Sequence, residues 1–448
     1  MFYKLIMEKK ISFKNINKIA IPAIIAGIAE PLLSLTDTAI VGNVKMNSVE
    51  ALAAVGIAGS FISALFWILA QTRSAISAIV SQYLGANKLE KIKSLPAQII
   101  IINIIISVII YFATVTYIHQ IFQFYNAKGL VLNYAVSYYK IRAIGLPFTL
   151  FTFSVFGVFR GLQNTYYPMI ISIIGAIINV LLDFALVYGI PNIIKPLHVE
   201  GAAIASVIAQ IIMAIIALIL LLKKTPFNLK FTLPFNAEIK RLLLLSVNLF
   251  IRALALNFAL YLSNSFATNY GDKYIAAHTI AFQIWLFFAF FIDGYSSVGN
   301  IVSGKLLGEK NYTKMFLLSK DLVKYTIVIA FILGAINFIF YKPIGNLFTD
   351  DIDVQNAFFS IFWIVIVMQP INAIAFVYDG IFKGLAKAST LRNTLIIATF
   401  IGFVPTLLIA DYFNLKLYAI WIAFTVWMLF RAGILVFLFR KMMLKSKV

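Results

Sequence analysis

Apolar residues run along this chain in long blocks, separated by short segments rich in Lys, Asn, Gly and Pro. Twelve such blocks lie near residues 19–43, 52–83, 95–118, 137–162, 166–189, 200–222, 241–269, 274–304, 322–341, 358–384, 391–411 and 417–439. A helix of roughly 20 apolar residues crosses a bilayer, and each block reaches that length. The pattern predicts an all-α polytopic membrane protein of twelve transmembrane helices.

The first block, Ile19 to Val44, is the most heavily punctuated. It contains Pro22 and Pro31, and two carboxylates, Glu30 and Asp37. A carboxylate in hydrocarbon costs about 2.5–3.5 kcal/mol on the lenient insertion scale, so two in one span call for a reason. Each proline removes a backbone donor and is a kink or hinge point. A bendable helix that carries an ionisable group suits an ion-driven machine. The plainer reading is a kinked structural helix with a satisfied Asp near its end.

Composition agrees with the hydropathy. Of 448 residues 62% are hydrophobic and 12% charged, against about 25% charged in a typical soluble domain. The 41 Phe and 21 Tyr fit lipid-facing and interfacial surfaces. A net charge of +20 raises the question of nucleic acid, and its distribution answers it. With the N-terminus in the cytoplasm, 26 of the 37 Lys and Arg fall in cytoplasmic segments or at cytoplasmic helix ends. Eight fall outside, and Arg73, Arg252 and Arg431 lie within spans. This positive-inside bias places both termini in the cytoplasm of a bacterial or archaeal plasma membrane. The basic charge then faces anionic lipid headgroups, and nucleic acid is not an expected partner. The absence of cysteine excludes disulfides and thiolate metal sites. The N-terminal MFYKLIMEKKISFKNINK lacks a small-residue cleavage pattern and reads as a cytoplasmic lead-in.

An internal repeat organises the twelve blocks. An offset of 223 residues, without a gap, superposes Leu84-Gly85 on Leu307-Gly308 and Pro147 on Pro370. The run Gly157-Val158-Phe159-Arg160-Gly161-Leu162 falls on Gly380-Ile381-Phe382-Lys383-Gly384-Leu385. Each half holds six spans, an even number, so both run in the same direction through the membrane. The expectation is two six-helix lobes related by a parallel pseudo-two-fold repeat: residues 1–222, a cytoplasmic linker over 223–240, and residues 241–448. Loops outside the membrane are short, which leaves no room for a separate catalytic domain.

Where the halves differ, chemistry is expected. Asp183 falls on Thr406 and Asn179 on Gly402, and with a short gap Asp37 falls beside Ser265. The first lobe alone has a carboxylate–amide–carboxylate set. Asn179 and Asp183 are one helical turn apart on one face. With hydroxyls at Thr36, Thr38 or Ser206 nearby, they make a hard oxygen site suited to H⁺ or Na⁺. Two acids in one dry pocket cannot both ionise cheaply, which poises them for protonation-coupled rearrangement. Alternatively, Asn179 and Asp183 brace a helix end. The second lobe has its own intramembrane acids, Asp293 in FIDGYSS and Asp379 in VYDGIFKG. Arg73 with Asp293, and Glu30 with Arg252, are candidate pairs of opposite charge, serving either as ion locks or as substrate contacts. His278 reads as a packing residue, and Asp350-Asp351-Ile352-Asp353 as a solvated acidic turn.

These residues carry a family resemblance. PAIIAGIAEPLLSLTDTAIVG is similar to the first helix of multidrug and toxic compound extrusion (MATE) transporters, specifically their DinF-like branch. SQYLGANK, YKIRAIGLPF, GVFRGLQNT, INVLLDFALVYG, GAAIAS and FIDGYSS extend the likeness over nearly the whole chain. The lack of paired catalytic or metal motifs argues against an enzyme, and a monomer without a cofactor is expected. The resemblance implies an antiporter of two six-helix lobes. It would export small organic, often cationic or amphipathic, compounds by alternating access against an H⁺ or Na⁺ gradient. It implies a cation site at Asp37, Asn179 and Asp183, with Ser206 as the sixth-helix hydroxyl, and a bending role for Pro22. No acid stands near Ser263 to Phe266 on the seventh helix, which favours H⁺, or Na⁺ held in the first lobe. A flippase for lipid-linked intermediates is the alternative, and it would need a cationic cavity.

Overall fold

The computed structural model describes residues 12–44 and 47–445, apart from the side chains of Glu30, Pro31 and residues 33–35. The expected roles of Glu30 and Pro31 therefore fall outside the described residues. The first helix is Phe13–Val41, 29 residues long and about 43 Å at 1.5 Å per residue. Among the described residues, ten further helices are long and apolar enough to cross a bilayer. In chain order they are Ser48–Gly85, Leu89–Phe124, Gly129–Gly161, Tyr166–Val187 and His198–Lys224, the second to sixth spans. Glu238–Asn269, Asp272–Gly308, Tyr312–Ile339, Ala388–Tyr412 and Leu417–Lys445 are the seventh, eighth, ninth, eleventh and twelfth. The tenth is a bent pair, Ile352–Val367 and Gln369–Gly384, whose axes meet at 49°. Among the described residues the fold is all-α, and the first helix with these eleven spans makes twelve, as the hydropathy predicts. Most helices extend a few residues past the apolar blocks, because polar residues at the interface continue the turn.

The repeat is written into the backbone. In the fourth span a 3₁₀ turn, Ala143–Gly145, precedes the helix Leu146–Gly161, which has Pro147 in its first turn. In the tenth span the break at Met368 precedes Gln369–Gly384, with Pro370 in its first turn. Proline at the start of a helix forfeits only a donor that would have been orphaned anyway. Downstream, the paired glycines set close helix contacts. A Cβ on Gly157 would come 2.8 Å from the Arg73 carbonyl oxygen, and one on Gly161 would meet Val80 and Ser77. At the repeat-related positions, a Cβ on Gly380 would strike the Ser296 carbonyl, and one on Gly384 Asn300 and Ser303. Small residues that let backbones touch are how membrane helices associate when both face hydrocarbon.

The chain forms two compact units, 25–80 with 88–242, and 1–24 with 81–87 and 243–448. In the first, Val41, Ala54, Phe122, Tyr138, Tyr139 and Ala203 are fully or almost fully buried. The linker segment belongs to this unit and is pinned to it: buried Gln98 donates to the Thr232 carbonyl at 2.6 Å and accepts from the Asn236 amide at 2.9 Å. In the second unit an aromatic cluster of Phe403, Trp421, Phe424 and Trp427 fills the core. His278 joins it, nearly parallel to the Phe424 ring, in keeping with a packing role. Outward faces such as Ile105, Ile109 and Phe112 on the third span stay exposed, as lipid-facing residues should. Of the acidic turn, Asp351 is an N-cap; its carboxylate accepts from the amides of Asp353 and Val354.

Candidate functional site

Three spans of the first unit bring Asp37, Asn179, Asp183 and Ser206 together, every one of them at most 4% exposed. Asn179 and Asp183 lie one turn apart on the buried stripe of the fifth span, which also carries Ile171, Ser172 and Gly175. A Cβ on Gly175 would strike Met213 of the sixth span. The fifth and sixth helices are thus close enough for side chains as short as Asn and Ser to meet. Ser206 donates to Asp37 Oδ2 at 2.9 Å, and Asn179 Nδ2 donates to Ser206 Oγ at 3.2 Å. Ser206, one of the three hydroxyls considered from sequence, is bonded to Asp37. Thr36 instead donates to the Leu32 carbonyl on its own helix, at 2.9 Å.

Tyr138 and Arg142 complete the site, and neither was singled out from sequence. The Tyr138 hydroxyl donates to Asp37 Oδ2 at 3.3 Å. Arg142, one turn further along the fourth span, hydrogen-bonds to that phenol and lies in the field of Asp183. It is buried, with its guanidinium 5.9 Å from the centre of the Phe66 ring. The signal available in sequence was the Tyr–Arg spacing of four within YYKIR, beside a span otherwise poor in charge.

Asp183 faces Asp37 within electrostatic and hydrogen-bonding reach. Four buried acceptors here accept no hydrogen bond: Asp37 Oδ1, Asn179 Oδ1, and both carboxylate oxygens of Asp183. Buried acceptors left without donors are costly. A proton shared between the acids satisfies two of these oxygens, and a hard cation satisfies more of them. The donors are all oxygen, which fits Na⁺ as the alternative ion.

The second-lobe candidates divide. Asp379 is gripped by three cations: Arg252 Nη2 at 2.6 Å on Oδ1, Lys383 Nζ at 2.9 Å on Oδ2, and Arg431 Nη2 at 4.0 Å. Arg252 pairs with Asp379 because the seventh and tenth spans meet at these side chains; its expected pairing with Glu30 lies outside the described residues. Lys383, at helical spacing of four from Asp379, was readable in VYDGIFKG. Asp293 is half-buried beside Gly294, where a Cβ would strike Ile24 of the first helix. Arg73 sits 5.5 Å from the centre of the Phe153 ring. Pro22 lies inside the continuous first helix.

Comparison with known proteins identifies the family and the fold. A family profile described as MatE matches residues 22–185 and 249–408. DNA damage-inducible protein F of Escherichia coli (strain K12) is 25% identical over 437 residues, covering 96% of this chain and 92% of that protein. Multidrug export protein MepA of Staphylococcus aureus (strain MSSA476) is 23% identical over 326 residues, covering 70% of each. A crystal structure of MATE in the bent conformation superposes with a TM-score of 0.90 at 21% identity, covering 97% of this chain and 96% of that one. An outward-facing structure of a multidrug resistance MATE family transporter gives 0.87 at 21% identity, with the same coverage. The chain belongs to the MatE family and is a multi-pass membrane transporter, not an enzyme.

Proposed function

We propose that the chain is a cation-coupled antiporter that exports small organic compounds by alternating access, with H⁺ as the favoured coupling ion and Na⁺ as the alternative. The observation that carries this reading is the set of buried acceptor oxygens on Asp37, Asn179 and Asp183 that have no donor. Such a pocket gains from one added positive charge, and it ties three spans together when that charge arrives.

The residues divide the work. Asp37 and Asp183 hold the exchanged proton between them, or with the Asn179 carbonyl supply oxygens to Na⁺. Ser206 and Tyr138 both donate to Asp37 Oδ2 and so fix which oxygen faces Asp183. Arg142 offsets part of the negative charge when the ion leaves. Loading removes repulsion between the first and fifth spans, and unloading restores it. Because Asp37 is on the same helix as Pro22, that change can be relayed to a helix whose hydrogen-bond ladder is already interrupted. Drug export rests on the relatives: a multidrug export protein is similar in sequence, and a multidrug resistance transporter shares the fold. An inner-membrane, monomeric state with both termini cytoplasmic belongs to the same reading.

Reconstituted vesicles test it. With a fluorescent organic cation as substrate, an imposed proton gradient should drive its accumulation, and substrate entry should discharge that gradient. Asp37→Asn keeps shape and hydrogen bonding but cannot cycle a proton, and it should abolish both signals at wild-type expression. Transport that responds to neither a proton nor a Na⁺ gradient, or that survives in Asp37→Asn, would overturn the assignment.

A further inference from the structure

The second lobe holds a buried charge cluster of opposite sign to the acid site. Arg252 from the seventh span, Lys383 from the tenth and Arg431 from the twelfth converge on one carboxylate, Asp379. Their side chains are 7%, 13% and 3% exposed, and that of Asp379 is 5% exposed. Among the described residues, three cations against one anion leave two positive charges over, at a depth where charge is expected to be paired.

The geometry shows which cation is short of a partner. Arg252 takes Asp379 Oδ1 and Lys383 takes Oδ2, so both carboxylate oxygens are engaged at hydrogen-bond distance. Arg431 reaches that carboxylate only at 4.0 Å. Its remaining contacts are the Met428 sulfur at 3.1 Å and the faces of Trp427 and Phe376, 4.8 and 5.4 Å to the ring centres. Arg252 is also close enough to repel it. Aromatic faces and a thioether stabilise a guanidinium without neutralising it. Two neighbouring guanidinium groups, one of them without a full counter-charge, match the planar fork that carboxylates and phosphates accept.

We propose that the Arg252–Lys383–Arg431 cluster is an anion-binding site that takes one carboxylate or phosphate group. The group is carried either by the transported compound or by a lipid headgroup. The site stands independently of the coupling reading, since it is in the other compact unit and its occupancy is read at equilibrium without a gradient. It widens the expected cargo from organic cations to compounds that carry an oxyanion, zwitterions included.

The test uses the full chain in nanodiscs of phosphatidylcholine, titrated with benzoate and with inorganic phosphate. Readouts are calorimetric binding, tryptophan fluorescence (Trp427 adjoins Arg431) and the unfolding midpoint. At least one anion should bind saturably and raise the midpoint. Arg431→Gln should weaken that binding at least tenfold, Arg431→Lys less, and Arg440→Gln, exposed on the same helix, not at all. Asp379→Asn removes the carboxylate that competes for the cations, so it should tighten anion binding several-fold. A purely structural cluster would not respond that way, and this variant keeps the proposal testable should Arg431→Gln unfold. If neither soluble anion binds, but phosphatidylglycerol in place of phosphatidylcholine stabilises the wild type and not Arg431→Gln, the source is a lipid headgroup. No response to any of these anions, or responses indifferent to both Arg431→Gln and Asp379→Asn, would overturn the site.

Discussion

The Ser206 hydroxyl sits 2.9 Å from Asp37 Oδ2, joining residues 169 positions apart in sequence. A hydroxyl has one proton to give. Spending it on Asp37 obliges Ser206 to accept from Asn179, whose amide nitrogen is 3.2 Å away. That in turn directs the Asn179 carbonyl oxygen away from Ser206, leaving it one of the acceptors without a donor. Polarity along this chain is therefore fixed by the serine. Ser206→Ala should remove a hydrogen bond to a charged group, worth about 1.5–3 kcal/mol. Half-maximal coupling-ion concentration should move by about tenfold or more. Ser206→Thr should restore most of it. The measurement is substrate uptake into vesicles as a function of pH and of Na⁺, and wild-type behaviour in Ser206→Ala would remove the serine from the site.

Asp37 and Asp183 should behave as a single unit. Because they face one another within hydrogen-bonding reach, removing one changes what the other is worth. A cycle of Asp37→Asn, Asp183→Asn and the double variant should show an interaction energy of about 0.5–3 kcal/mol in ion binding. Additivity within error would mean two separate sites.

Much of this site was legible because it violates a repeat. A carboxylate–amide–carboxylate set in one half, aligned in sequence with Ser265, Gly402 and Thr406 of the other, stood out in the sequence, and its residues share a buried cluster. Tyr138 and Arg142 escaped notice for the opposite reason. Aromatic and basic residues near a span end look interfacial in hydropathy, and only the packing of the fourth span turns them inward. The Asp379 cluster was half visible. Arg252 and Arg431 stood out as charges within spans, but no spacing links three separate helices, and Lys383 looked like the repeat partner of Arg160.

The glycine contacts give the fold its own test. Gly161 and Gly384 are repeat-related, and at each an added methyl meets packed atoms of the neighbouring helix in the same unit. Overpacking of this kind costs about 1–3 kcal/mol. Gly384→Ala is expected to be the harsher, since its Cβ would strike the Asn300 backbone carbonyl, whereas at Gly161 the nearest atoms belong to the Val80 side chain. Unfolding midpoints in detergent should fall for both, further for Gly384→Ala. An unchanged midpoint for Gly384→Ala would show that the helices can separate freely there.

Tyr270, in the turn between the seventh and eighth spans, donates to Asp411 Oδ1 at 2.6 Å. Burial first, and then the Asp411 carboxylate, push its phenol above the ordinary value. A phenol that holds its proton more tightly in the folded than in the unfolded chain stabilises fully below the unfolded value of about 10. That stabilisation is lost as pH rises from there through the folded value. Tyr270→Phe should therefore lower the unfolding midpoint at neutral pH and flatten its decline above about pH 10. Parallel curves for the two proteins across that range would disconnect the pair from stability.

The first helix offers the sharpest test of how ion binding could become motion. Pro22 lies within its 29 residues and deprives the Lys18 carbonyl of its usual donor. Asp37 is 15 residues on, about 22 Å along the axis. If the ion acts by changing the pull between Asp37 and the fifth span, labels at Thr36 and Val180 should report a pH-dependent distance. Asp37→Asn should abolish that dependence, because the charge no longer changes. Pro22→Ala restores the donor and swaps a residue about 3 kcal/mol unfavourable in a helix interior for the best helix former. The change should then shrink, and transport should slow while ion binding survives. That split between motion and binding distinguishes a hinge from a general loss of structure. A Pro22→Ala protein with full motion and full transport would reduce this proline to a fixed kink. The bend would then have to be sought nearer Asp37, at Pro31.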